Sequence, residues 1–204
     1  MTGNISRYLF FGILIMSSLY GASQPVYEVR KPGKFSRIFS IDLQEVDAAS
    51  NQSVTSGKAA SLYVYMFLSP ECPLCRHYIP QLKKLQELYK DRLIIKGIFP
   101  GRAYSADTLK AFSREYGINF PLYIDPDKTL TMYLSVSVTP EVMVFTKDAE
   151  KIYAGAIDDW LKELGQMRVR ASRMYLDDAI SAALAGKKIT VPQTNAKGCL
   201  VNDL

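Results

Sequence analysis

The chain reads as an α/β fold built around parallel strands, and three stretches predict it. Leu62-Tyr63-Val64-Tyr65-Met66-Phe67-Leu68 is apolar throughout and rich in β-favouring residues, a run too short for a typical helix and suited to a buried strand. Ile79, Leu82, Leu85 and Leu88 then recur at helical spacing, with Gln81, Lys83, Lys84 and Glu87 between them. Leu93-Ile94-Ile95-Lys96-Gly97-Ile98-Phe99 follows as a second buried strand. Strand, helix, strand in this order is a βαβ unit, which implies a parallel pair joined by a right-handed crossover.

The flanking elements follow in order. Phe35 to Val46 alternates apolar and polar residues and predicts one or two half-buried edge strands, and Asn51 to Lys58 is a polar turn. Ser105 can cap a helix running to Tyr116, with Leu109 and Phe112 inward and Gly117 as its stop. Pro121 to Ile124 is a short strand, and Asp125-Pro126-Asp127 turns into a short helix containing Leu130 and Leu134. Val142 to Phe145 and Lys151 to Ala154, joined by Lys147-Asp148-Ala149-Glu150, predict a hairpin. A closing helix spans Met174 to Leu184, packing through Ala179, Ile180 and Ala183, with Gly186 as its stop. The tail 187–204 shows no periodicity, and no internal repeat or second domain is visible.

At 204 residues and 48% hydrophobic content, the chain can form one well-packed domain with appendages. Its net charge of +5 is spread through the chain and mixed with acids, which describes a solvated surface and argues against nucleic-acid binding. Three cysteines are too few to scaffold a mini-domain, so the fold must rest on its core. At the N-terminus, Arg7 precedes the apolar run Tyr8–Met16, which suits a signal-peptide h-region, and Gly21, Ala22 and Ser23 follow as a cleavage site needs. Residues 1–23 are therefore expected to be a signal peptide, or alternatively an uncleaved membrane anchor. With no cysteine after the h-region, a lipoprotein anchor is not expected. Either way the domain is exported, into an oxidising compartment such as a bacterial periplasm. Residues 24–34 read as an extended linker.

The chemistry concentrates at Ser69-Pro70-Glu71-Cys72-Pro73-Leu74-Cys75-Arg76-His77, where the central strand turns into its helix. The first helical turn carries unpaired N–H groups and a partial positive charge, which stabilises a thiolate at Cys72, and the thiolate is the nucleophile of disulfide exchange. Pro73 fits the first helical position. Cys75 lies one turn along the same face. Other readings of this pair are two half-sites of a structural zinc and an inert disulfide. Zinc asks for about four ligands, and only Cys199 and the single histidine, His77, remain to supply them.

These residues resemble those of the thioredoxin-like superfamily, and more closely its exported redoxin group, related to thiol-specific antioxidant proteins. The resemblance covers Phe35 to Gly186 and rests on Cys72-Pro73-Leu74-Cys75 at a strand–helix junction, on Val138-Thr139-Pro140, and on Gly155 after the last strand. It implies a thioredoxin-like three-layer fold, a mixed central sheet flanked by helices in a single domain at 35–186, with 187–204 as a C-terminal tail. It implies a thiol–disulfide oxidoreductase with Cys72 and Cys75 catalytic, and with Thr139 and a cis Pro140 binding substrate. The alternative is a trans proline opening the Val142 strand. Protein disulfides or dithiols and a redox partner protein are the implied partners. No dissociable cofactor and no metal is needed.

The departures matter. Glu71 ahead of Cys72 should raise its thiol pKa, opposing the helix terminus. Met66 stands where thioredoxins carry a buried carboxylate, so proton transfer to Cys75 must use water, Glu71 or His77. Two rival activities remain. A peroxiredoxin-like peroxidase would use the Ser69 hydroxyl, but the proline such sites carry is replaced by Tyr65. A copper-binding chaperone would use His77, which otherwise is a surface residue or pKa modifier. For Cys199, in Gly198-Cys199-Leu200, the functional reading is a tail that folds back to exchange with the Cys72–Cys75 disulfide or to shield it. The other readings are a small buried hydrophobe and a dimerising thiol.

Overall fold

A computed structural model of the chain describes residues 35–47 and 60–201. Within them lie a 3-10 turn at Ser36–Phe39 and strands β1 (Gln44–Glu45) and β2 (Leu62–Phe67). Helix α1 (Pro73–Leu88), β3 (Leu93–Pro100), α2 (Ala106–Tyr116), β4 (Leu122–Asp125) and α3 (Thr129–Leu134) come next. The second half contributes β5 (Val138–Thr139), β6 (Glu141–Thr146), β7 (Lys151–Gly155), β8 (Leu161–Glu163), β9 (Gln166–Met167), α4 (Tyr175–Leu184) and β10 (Cys199–Leu200). The expected signal segment 1–23, the expected linker 24–34 and the expected turn Asn51–Lys58 fall outside the described residues.

Six strands form one mixed sheet in the order β1-β4-β3-β2-β6-β7. The β2–β3 and β3–β4 pairs are parallel, and β1, β6 and β7 join antiparallel. Both faces of the central strands are covered, which is why they read as continuous apolar runs. The period of two still sorts the side chains. Val64, Met66, Val142 and Val144 pack with α1, α2 and α4 on one face, while Tyr65, Phe67, Met143 and Phe145 pack with α3 and the 3-10 turn on the other. The result is a helix–sheet–helix sandwich in three layers, with β2 and the start of α1 at its centre.

Polar groups fix how the layers meet. The buried Gln86 amide donates to the Leu93 carbonyl and accepts from the Ile95 N–H, tying α1 to β3 at 3.1 and 2.8 Å. Asp125, buried at the end of β4, accepts from the Thr131 N–H and hydroxyl at 2.8 and 2.7 Å and so starts α3. Ser105 caps α2 through the Thr108 N–H, and Gly117 ends it with φ +55°. The Phe35–Val46 segment holds one of the one or two edge strands expected there, the two-residue β1, while Ile38 enters the far-side core from a 3-10 turn.

Candidate functional site

The site begins where β2 ends. Leu68 still donates to the Ile98 carbonyl at 2.8 Å, so the chain is pinned to the sheet up to that residue. It then turns, with the Cys72 N–H on the Ser69 carbonyl, and Cys72 becomes the N-cap of α1 with extended angles (φ −77°, ψ 113°). Pro73 takes the first helical position, where its missing N–H is no loss. The Cys72 carbonyl accepts from the Cys75 N–H at 3.0 Å, which places both cysteines on the first turn. Arg76 donates back to the Pro70 carbonyl at 2.9 Å and steadies the loop. The Ser69 N–H meets the Cys75 sulfur at 3.4 Å.

Across from this turn, the chain enters β6 through a cis peptide bond between Thr139 and Pro140. The Cys72 thiol donates to the Thr139 carbonyl at 3.3 Å. The dithiol and the Thr139–Pro140 corner therefore form one site. All three cysteines are free thiols.

The third wall is the C-terminal segment. The strand β10 pairs antiparallel with β5, Cys199 opposite Thr139 and Leu200 opposite Val138. Upstream, Ala154 donates to the Pro192 carbonyl and Thr194 donates to the Ala154 carbonyl, at 3.1 and 3.0 Å. The Thr194 hydroxyl accepts from the Ala156 N–H at 2.9 Å and meets the Tyr153 hydroxyl at 2.7 Å. Downstream, the Val201 N–H reaches the Ser137 carbonyl at 2.9 Å. Two glycines make these approaches possible. A Cβ on Gly155 would collide with Thr194, and one on Gly198 with the Thr139 carbonyl. Under this strap Cys72 is only 1% exposed and Cys75 0%.

The three thiols have unequal acidities. The Cys72 thiol is lowered from an ordinary 9.0 to about 5, because the Cys75 thiol donates to its thiolate; burial opposes this, and Cys199 adds a smaller hydrogen bond. Cys75 is pushed strongly up by its burial and by the neighbouring Cys72 charge. Cys199 is raised to about 11 by burial, then by its hydrogen bond to Cys72 and by the Cys72 charge. Hydrogen bonding from its partner thiols thus dominates at Cys72, and Glu71, exposed to solvent, is not among the causes. That corrects the expectation that Glu71 raises this thiol.

Thus Cys72, Cys75, Thr139, Pro140 and Cys199 converge, whereas Glu71, Pro73 and His77 point to solvent. His77 stacks on Trp160, ring centroids 3.8 Å apart and planes 12° from parallel. Among the described residues no three His, Cys, Asp or Glu side chains gather as a metal-ligand set. The Ser69 hydroxyl pairs with the Tyr104 hydroxyl at 3.2 Å. Sequence reasoning passed over the buried Tyr78 hydroxyl, which donates to Asp158 at 2.7 Å, and the Trp160 N–H on the same carboxylate at 2.9 Å. Tyr78 lies on the buried face of α1, but Asp158 and Trp160 lie in an irregular stretch with no periodicity. A groove of about 370 Å³ runs beside Pro140, between Tyr78, Asp158, Lys162, Arg168 and the strap residues Thr194 and Lys197.

A mixed sheet between two helical layers, with a Cys-x-x-Cys turn facing a cis proline, defines a thioredoxin-like protein. The chain belongs to the AhpC/TSA family, whose pattern matches residues 38–153. A curated relative, the thiol-disulfide oxidoreductase YkuV of Bacillus subtilis (strain 168), is 26% identical over 87 residues, 41% of this chain and 59% of the relative. The chain thus matches under two thirds of that protein's length. Solved structures agree on the fold. An uncharacterized conserved protein from Geobacillus kaustophilus superposes with a TM-score of 0.64 at 22% identity, covering 78% of this chain and 86% of that one. The hypothetical protein SMc02350 of Sinorhizobium meliloti 1021 gives 0.62 at 22% identity, over 70% and 79%. A thioredoxin-like protein solved in its oxidized form gives 0.50 at 18% identity, over 71% and 97%.

Proposed function

We propose that this protein is an exported thiol–disulfide oxidoreductase acting on protein disulfides through the Cys72–Cys75 dithiol. One observation carries the reading: two thiols on one helical turn, the outer acidified and the inner held protonated, beside the Thr139–Pro140 corner. The relative's printed activity supports it.

The Cys72 thiolate attacks one sulfur of a substrate disulfide, forming a mixed disulfide and expelling the other sulfur as a thiolate. Cys72 has then lost its charge, and with it one of the causes that keep Cys75 protonated. Cys75 gives up its proton and attacks the Cys72 sulfur, forming the Cys72–Cys75 disulfide and releasing the reduced substrate. Two electrons pass from the dithiol to the substrate; the reverse sequence oxidises a substrate dithiol. A redox partner protein restores the dithiol or the disulfide. Sulfur and protons suffice for every step. The Thr139 backbone and Pro140 hold the substrate chain. The apolar run Tyr8–Met16 supports residues 1–23 as the export signal and 24–34 as a linker, ahead of the domain at 35–186 and its tail at 187–204.

Insulin reduction, hydrogen peroxide turnover and copper binding, assayed side by side, test this reading. Insulin reduction that requires Cys72 is the expected result. Peroxide turnover without insulin reduction would make the protein a peroxidase, and stoichiometric copper binding without either activity would make it a chaperone.

A further inference from the structure

The edge that a substrate chain would use is already taken by the protein's own tail. Val138 and Thr139 pair with Leu200 and Cys199, so the residue opposite Thr139 is itself a cysteine. The Thr139 carbonyl that receives Cys199's strand lies 3.3 Å from the Cys72 sulfur. Cys199 thus sits where the cysteine of a bound substrate would sit, half-buried and within hydrogen-bonding reach of Cys72, while Cys75 lies deeper. The placement is built rather than incidental. Pro192, Thr194 and Val201 anchor the segment by backbone hydrogen bonds, Lys197 pairs with Glu163 at 2.6 Å, and Gly198 is the residue that lets the strand close on Thr139.

We propose that residues 192–201 are a substrate strand carried in cis, and that Cys199 is a third redox thiol that exchanges onto Cys72. The proposal rests on the reading of Cys72 and Cys75 as a redox couple. In the oxidised protein the Cys199 thiolate attacks the Cys72 sulfur. The Cys72–Cys199 bond forms, the Cys72–Cys75 bond breaks, and the electron pair leaves on Cys75, which takes up the proton that Cys199 gives up. One disulfide and one thiol stand on each side, so no oxidant is consumed. Cys199 is a hydrogen-bond donor while Cys72 is a thiolate; once Cys72 is in a disulfide, two of the three causes that hold the Cys199 proton are gone, leaving burial. Electrons can then pass between Cys75 and a thiol on a detachable strand. External substrates are correspondingly extended segments that displace β10, with a small residue ahead of their cysteine, as Gly198 precedes Cys199.

The relay changes what a resolving-cysteine variant does. A tethered thiol acts at an effective concentration on the order of millimolar or more, about a thousandfold above micromolar insulin. In Cys75→Ser, Cys199 therefore resolves the mixed disulfide: insulin is released and a Cys72–Cys199 disulfide remains. In Cys75→Ser/Cys199→Ser the insulin adduct on Cys72 persists. The experiment incubates both full-length variants with insulin and maps the disulfides after acid quench. Little adduct and a Cys72–Cys199 peptide in the single variant, with abundant adduct in the double variant, is the expected result. Equal adduct in both, with Cys199 open to alkylation throughout, overturns the relay while leaving the Cys72 reading intact. No adduct in either variant and no insulin reduction by the wild type overturns both. Should a variant misfold, partly oxidised wild-type protein decides: a Cys72–Cys199 peptide supports the relay, and Cys72–Cys75 as the sole linkage overturns it.

Discussion

Two segments bring a cysteine to Thr139, Cys72 through its thiol and Cys199 through its strand, and they are held in opposite ways. Cys72 and Cys75 belong to a turn that local chemistry almost fully determines: a strand pinned through Leu68, an extended N-cap, a proline at the first helical position, and a buried helix behind. Cys199 belongs to a two-residue strand held by a handful of hydrogen bonds and two close approaches at glycine. The first segment loses its geometry only when the core unfolds. The second can leave while the core stays folded, since local opening free energies run from near zero up to the global value. A redox site made of one fixed and one detachable element can be chemically poised and still covered.

The largest expected effect on this contrast is at the fixed element. Cys72→Ser removes the nucleophile, and insulin reduction should fall to the uncatalysed background. Next comes the detachable element. Gly198→Val places a side chain against the Thr139 carbonyl and the Pro140 nitrogen, an overpacking that costs ~1–3 kcal/mol. The strap takes that cost by opening, so Cys72 alkylation should accelerate by roughly five- to a hundredfold, with the far-ultraviolet spectrum unchanged. Unaltered alkylation would show that the strap does not gate Cys72.

A pH titration sharpens the comparison at finer scale. Because the folded Cys72 pKa is depressed to about 5 from 9.0, its thiolate stabilises the reduced protein fully above the ordinary thiol range. That increment is lost as pH falls through about 5. Thiolate absorbance should follow a midpoint near there, shifting upward most in Cys75→Ala and less in Cys199→Ala, which remove the donors in the order of their hydrogen bonds to Cys72. The smallest effect lies away from the site. Ser105→Ala removes the α2 cap and should cost about 1 kcal/mol in urea unfolding without changing insulin reduction.

Legibility in the sequence follows the same division. The apolar run Leu62–Leu68, the spacing Ile79–Leu88, the Ser105 and Gly117 signals and the hairpin strands all express local periodicity or capping, and the structure has elements at each. In Phe35–Val46 the edge strand is present as β1, but alternation did not distinguish it from the 3-10 turn that buries Ile38 ahead of it. The strands β8 and β9 are short, polar and exposed, so no pattern marks them. The tail's position is non-local: its partners are backbone atoms of Ala154, Ser137 and Thr139, which leave no trace in its own composition. Gly155 and Gly198 were the available signals, since each permits a backbone approach that its sequence neighbours do not explain. Glu71 misled for a related reason. Adjacency in sequence suggested a charge effect, whereas the thiols that acidify Cys72 are those of Cys75 on the same helical turn and of Cys199 at the far end of the chain.

The most direct test is the redox equilibrium of the full-length protein in graded thiol–disulfide buffers, quenched and mapped by mass. The account predicts one reversible two-electron transition that puts Cys72 into a disulfide, with Cys75 and, in exchange with it, Cys199 as partners, and abolishes Cys72 alkylation. Cys72 and Cys75 remaining as free thiols across the whole range, with insulin left intact, would contradict it.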